Sequence, residues 1–182
     1  MIVARTKKKE NIIEYILYMW QVEDLIRSNQ LDIAQIDKNI ISQYKEDADK
    51  ILEIRDWWDN LTEMMKMEKK ENTGHLQVNI NTVNDVHQMH LKLLKQPSEI
   101  AYINAYHSAV PMIKEFELKS AAPYDNDIEL CLTAIYSSFL LKLQGKEITE
   151  GTHKALKAFT KFLAILAVKY KQDHEGKLEF EK

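Results

Sequence analysis

Chain-breaking residues are scarce here: 4 Gly and 3 Pro serve a chain of 182 residues. An all-β domain of this size needs turn residues about every 8–12 positions, and they are missing, so long helices are the default expectation. Hydrophobic residues make up 45 % of the chain beside 29 % charged ones. That balance belongs to a globular protein able to bury a core. The expected fold is all-α, a single-domain bundle of six or seven helices, with residues 1–6 and 173–182 as frayed ends.

Hydrophobic periodicity places the helices. Around 12–26 almost every position is apolar or aromatic, which predicts a first helix in the middle of a bundle. Thr6 reads as its N-cap and Asn29 as its left-handed stop. Asp32 with Gln35 forms a capping box opening a short helix that carries Ile33, Ile36, Ile40 and Ile41. Over 46–70 the steps Ile51, Ile54, Trp58, Leu61 and Met65 trace one helical seam, flanked by Trp57 and Met64. A fourth helix is expected from Asn79 or Asn81 to Lys95, with Val83, Val86, His90 or Leu91, and Leu94 inward.

Pro97 suits the first position of a fifth helix ending near Lys119, and Pro111 within it predicts a kink or a break that frees the carbonyl of His107. Asn126 with Glu129 caps a sixth helix, apolar on most sides over 130–143 and ending near Gly145. This helix and the first are expected at the centre of the bundle. Thr149 opens the last helix, which runs to about Gln172.

Charge and cysteine content close off several functions. Residues 1–9 carry a net +4, residues 10–75 a net −7 and residues 76–182 none. The one basic cluster, Arg5 with Lys7, Lys8 and Lys9, is too short to track phosphates, so no nucleic-acid partner is expected. Glu10 and Glu14 interrupt any signal-peptide core, and the longest apolar run, 162–168, is far short of the roughly 20 residues of a membrane span. Cys131 is alone in an apolar run, which excludes an intramolecular disulfide framework and a Cys-rich zinc site. A cytoplasmic protein without membrane contact is the expectation.

Several constellations could carry chemistry. His87 and His90 share a helix face at i, i+3 spacing and are the weak candidates for a metal, although His-Glu-x-x-His is absent and no metal or other cofactor is expected. Glu150-x-x-His153 is only one of the two Glu-x-x-His motifs that a di-iron bundle needs beside two further glutamates, and Glu68-x-x-Glu71 and Glu147-x-x-Glu150 match a magnesium spacing; all three read best as solvated charge at helix ends. Glu23, Asp24 and Arg27 continue the most apolar helix. They form a candidate polar pocket, joined by His107 at the Pro111 position, or else an ion pair that specifies packing. Trp57, Met64 and Met67 form a candidate interface, because adjacent tryptophans on a helix cannot both face inward. No Gly-x-Ser-x-Gly elbow or glycine-rich phosphate loop exists to support nucleophilic or nucleotide chemistry.

The run Lys7-Lys8-Lys9-Glu10-Asn11-Ile12 with Tyr15, then residues 18–27 (YMWQVEDLIR), Gly74-His75-Leu76-Gln77 and Leu140-Leu141-Lys142-Leu143-Gln144, resembles an uncharacterised domain-of-unknown-function family of Bacteroidetes proteins. The resemblance spans most of the chain. It implies an all-helical cytoplasmic bacterial protein and brings no catalytic or ligand residues with it. Two functions remain open on the residues: a non-enzymatic interaction module that self-associates, with a further protein partner possible, and a small-molecule-binding or enzymatic bundle built around Glu23, Asp24 and Arg27.

Overall fold

The computed structural model describes residues 2–120 and 123–178. All regular structure among them is helical. The helices are α1 (Ile2–Glu10), α2 (Ile12–Ser28), α3 (Ile33–Asn39), α4 (Ala48–Met67), α5 (Gln77–Leu94), α6 (Ile100–Lys119), α7 (Asp127–Leu143) and α8 (Glu150–His174), with a 3-10 turn at Ile41–Gln43. By their contacts the residues fall into two units, one of residues 1–9 and 14–82, the other of residues 10–13 and 83–182.

α1 and α2 are separate helices where the sequence suggested one. Asn11 divides them: its Oδ1 accepts the backbone N–H of Ile13 at 3.1 Å, the local side-chain bond with which Asn competes against helix continuation. Thr6 consequently lies inside α1 rather than capping α2. At the other end of α2 the left-handed residues are Gln30 and Leu31, with φ of 58° and 54°. Asn29 acts through its side chain instead. Its Nδ2 donates to the Leu25 carbonyl at 2.8 Å while its Oδ1 accepts from Asn39 at the same distance, tying the end of α2 to the end of α3.

The expected capping box at Asp32 is half present, since Asp32 accepts from Ala34 N at 2.9 Å and Gln35 reaches the Asp32 carboxylate rather than its backbone. α3 packs on α4. Of the expected α4 seam, Ile54, Trp58, Leu61 and Met65 are buried, while Ile51 near the helix start is half-buried. Trp58 is 1 % exposed and meets the ring of half-buried Trp57 edge-on at 5.4 Å.

The second unit takes residues 83–94 of α5 together with α6, α7 and α8, and the last three pack against one another. α6 runs unbroken through Pro111, which lies on its exposed side. Its first residue is Ile100 rather than Pro97, because the chain makes turns through Gln96 and Glu99 first. Asn126 caps α7 by accepting Glu129 N at 2.9 Å, and Glu129 returns a carboxylate to Asp125 N at 2.8 Å. Thr149 caps α8 as expected. α7 is buried over most of 128–134, yet Phe139, Lys142 and Leu143 near its end are exposed. Residues 179–182 of the expected polar tail, and Met1, lie outside the described residues.

Candidate functional site

The most concentrated polar chemistry of the first unit sits where α2 meets the connection between α4 and α5. α2 is apolar around most of its circumference, so a carboxylate three residues after Trp20 enters the interior with it: Glu23 is 1 % exposed. Both of its oxygens are occupied. Oε1 accepts the backbone N–H of Leu76 at 2.9 Å and the Nδ2 of Asn79 at 2.6 Å, while Oε2 lies 2.5 Å from the Nδ1 of His75. The His75 ring also stacks on Trp20, with centroids 4.3 Å apart and planes within 14°.

Arg27, one helical turn further, reaches the same connection. Its Nη1 donates to Asp24 at 2.8 Å, its Nε to the Lys70 carbonyl at 3.1 Å, and its Nη2 to the Gly74 carbonyl. A planar guanidinium serves these three acceptors at once because its donors form a rigid fork. Gly74 has φ of 82°, which an L side chain rarely adopts. Lys70 N returns to the Met65 carbonyl at 2.8 Å after the left-handed Lys69, closing α4.

These contacts explain the start of α5. The expected boundary was Asn79 or Asn81, whereas the helix begins at Gln77. Its orphan N–H groups are met by remote carboxylates: Leu76 N by Glu23 and, at 2.7 Å, Gln77 N by Glu68. A cap supplied from 53 residues away leaves no local sequence signal. His75, which the sequence reading passed over, is the residue that the Glu23 carboxylate orients. The available signal was weak, a histidine beside Gly74 at a helix start.

The structure brings Glu23, Asp24 and Arg27 together with His75 and Asn79. His107 stands on α6 in the other unit and is exposed. The Oδ1 of Asn79 is buried without a hydrogen-bond partner among the described residues.

On α4, Trp57 and Met64 are half-buried and Met67 is 74 % exposed. At 3.6 residues per turn the three fall within about 80° of arc on one flank. Exposed Asn60 shares that flank, which borders the Trp58 seam.

In the second unit His87 and His90 have ring centroids 5.8 Å apart. His90 is buried, and its Nδ1 lies 2.6 Å from the hydroxyl of Tyr102. Burial, reinforced by His87, pushes His90 down to about 4, and burial lowers His87 as well. Next to them Tyr106 donates to Asp127 at 2.6 Å and packs edge-on against His90 at 4.6 Å. Among the described residues no three His, Cys, Asp or Glu side chains converge as a metal site. Cys131 is buried and burial raises its thiol, which leaves it a poor nucleophile. None of the described helices is long and apolar enough to cross a membrane.

Comparison with known proteins adds a family and no chemistry. No curated protein and no solved structure matches the chain. The family model described as Domain of unknown function (DUF4924) matches residues 1–177, and the chain belongs to that family.

Proposed function

We propose that this protein is a non-enzymatic helical interaction module that pairs with a second copy of itself through the outer flank of α4. The observation that carries the reading is Met67, 74 % exposed at the end of a flank continued by half-buried Trp57 and Met64. Methionine and tryptophan are enriched at protein interfaces, methionine because its flexible thioether adapts to a partner's shape. A patch on one helix flank can meet its own copy across a two-fold axis. The lone buried Cys131 and the all-helical fold fit a cytoplasmic setting, and the resemblance adds a bacterial one.

The polar cluster on α2 supports the same reading. Glu23 and Arg27 direct their hydrogen bonds to the protein's own connection between α4 and α5, which is what a structural clamp does and what an open substrate pocket does not. The test is the solution mass of the protein and of a Trp57→Glu, Met67→Glu variant by sedimentation. A dimer that the double variant converts to monomer supports the proposal, and a monomeric parent protein at all practical concentrations contradicts it.

A further inference from the structure

The flank of α4 that carries Trp57, Met64 and Met67 also carries acid. At about 100° per residue, Asp49, Glu53, Asp56 and Glu63 all fall on the side of Trp57 away from the Trp58 seam, within about 120° of it, and no lysine or arginine of the helix shares that arc. All four are exposed. Glu53 meets Arg5 at 3.8 Å and Glu63 meets Lys66 at 2.7 Å, surface pairs that hold little, while Asp49 and Asp56 form no ion pair among the described residues. The row from Asp49 to Glu63 is roughly 21 Å long at 1.5 Å per residue.

The opposite charge is gathered in the second unit. The C-terminal half of α7 and the N-terminal half of α8 leave between them a shallow open trough of about 620 Å³, floored by Ile135, Leu156 and Ala164. Lys142 from α7 and Lys157 and Lys161 from α8 stand along it, and no acidic residue lines it. None of the three lysines has an ion-pair partner among the described residues. Along α8 the lining runs from His153 to Ala164, roughly 16 Å at 1.5 Å per residue. Because the cations run the length of the trough, its complement is an apolar edge with anions spread along it.

We infer that the outer flank of α4 docks into the α7–α8 trough of a second copy, with Trp57 and Met64 on the apolar floor and the carboxylates of Asp49, Glu53, Asp56 and Glu63 against Lys142, Lys157 and Lys161. The inference rests on the self-association proposed above and names the surface that receives α4. Charge decides among the ways two copies can pair. Flank against flank would set one row of carboxylates against another, and trough against trough would set lysine against lysine; both juxtapositions are unfavourable. Flank against trough matches apolar with apolar and acid with base. The spacing agrees as well, since Asp49 and Glu53 stand four residues apart on their helix, as Lys157 and Lys161 do on theirs. Both halves of the match belong to one chain, so a second copy supplies the complement at the protein's own concentration. A two-fold axis repeats the contact, and each copy then lends one flank and one trough.

Sedimentation equilibrium of the full chain tests it with two charge-reversal variants, Lys157→Glu, Lys161→Glu in the trough and Glu53→Lys, Asp56→Lys on the flank. Each variant alone is expected to dimerise at least tenfold more weakly than the parent. An equimolar mixture of the two should recover the parent's affinity, because every flank then faces a trough of opposite charge. All four positions are exposed, so helical circular dichroism should remain that of the parent protein. Raising sodium chloride from about 50 mM to about 500 mM should weaken the parent dimer. A trough variant that dimerises as tightly as the parent, no recovery on mixing, or a parent dimer that tightens with salt would each overturn the inference while leaving pairing through α4 in place. A parent protein that stays at the single-chain mass would overturn it together with the pairing on which it rests.

Discussion

The Glu23 carboxylate and the His75 imidazole meet at 2.5 Å across 52 residues of chain, with His75 stacked on Trp20 from the same helix as Glu23. A buried carboxylate that satisfies a ring nitrogen, a backbone N–H and an amide together fixes the path of the connection between α4 and α5. Removing it leaves the buried Leu76 N–H and Asn79 amide without an acceptor and the partly exposed His75 ring without its partner. Glu23→Ala is therefore expected to cost about 3 kcal/mol in urea unfolding, the scale for breaking a buried charged contact. It should also speed proteolytic cleavage within 69–75. A loss below about 0.5 kcal/mol, within the range of ordinary surface substitutions, would show that the cluster does not hold the connection.

Arg27→Lys keeps the charge and discards the fork. Lysine cannot serve Asp24 and the carbonyls of Lys70 and Gly74 from one rigid plane, so a loss of about 1–2 kcal/mol is expected. Equal stability of the two proteins by thermal unfolding would mean that charge alone matters at this position.

His90 gives the fold a pH dependence of known sign. Its folded-state value is pushed from 6.5 down to about 4, chiefly by burial, so the folded protein holds the neutral ring. Between about pH 6.5 and pH 4 the unfolded chain takes up a proton that the folded chain refuses, and stability falls as the pH drops through that window, by up to about 3 kcal/mol. Above it this contribution is constant. Denaturation midpoints measured from pH 7 to pH 4 should decline, and less steeply in His90→Gln; an identical slope in the variant would remove His90 as the cause.

Adjacent tryptophans offer an internal comparison. Trp58→Ala should cost about 3–5 kcal/mol, the usual range for emptying a large buried aromatic site. Trp57→Ala, on the half-buried flank, should cost about 1 kcal/mol or less. Comparable losses by urea unfolding would mean that the flank is part of the core and unavailable to a partner.

These residues also mark how far the sequence could be read. The 3.6-residue spacing placed Trp58, Leu61 and Met65 inward on α4, and local caps at Asn126 and Thr149 located the starts of α7 and α8, because both signals are contained in a few neighbouring residues. The break at Asn11 was missed since an apolar run on its C-terminal side masks a one-residue side-chain cap. The start of α5 was missed for a different reason: its caps, Glu23 and Glu68, come from elsewhere in the chain. Glu23 and Arg27 stood out as charges at the end of an apolar helix. Their partners, His75 and the carbonyls of Lys70 and Gly74, lie 43 to 52 residues on, a distance that no local pattern spans. The near-continuous apolar pattern of 130–143 hid that the end of α7 is exposed.

Self-association through the α4 flank is tested most directly by sedimentation equilibrium of the parent protein beside the Trp57→Glu, Met67→Glu variant. The expected result is a mass near twice 21.4 kDa for the parent and near 21.4 kDa for the variant, with unchanged helical circular dichroism. A parent protein that stays at the single-chain mass, or a variant that remains a dimer, would contradict it.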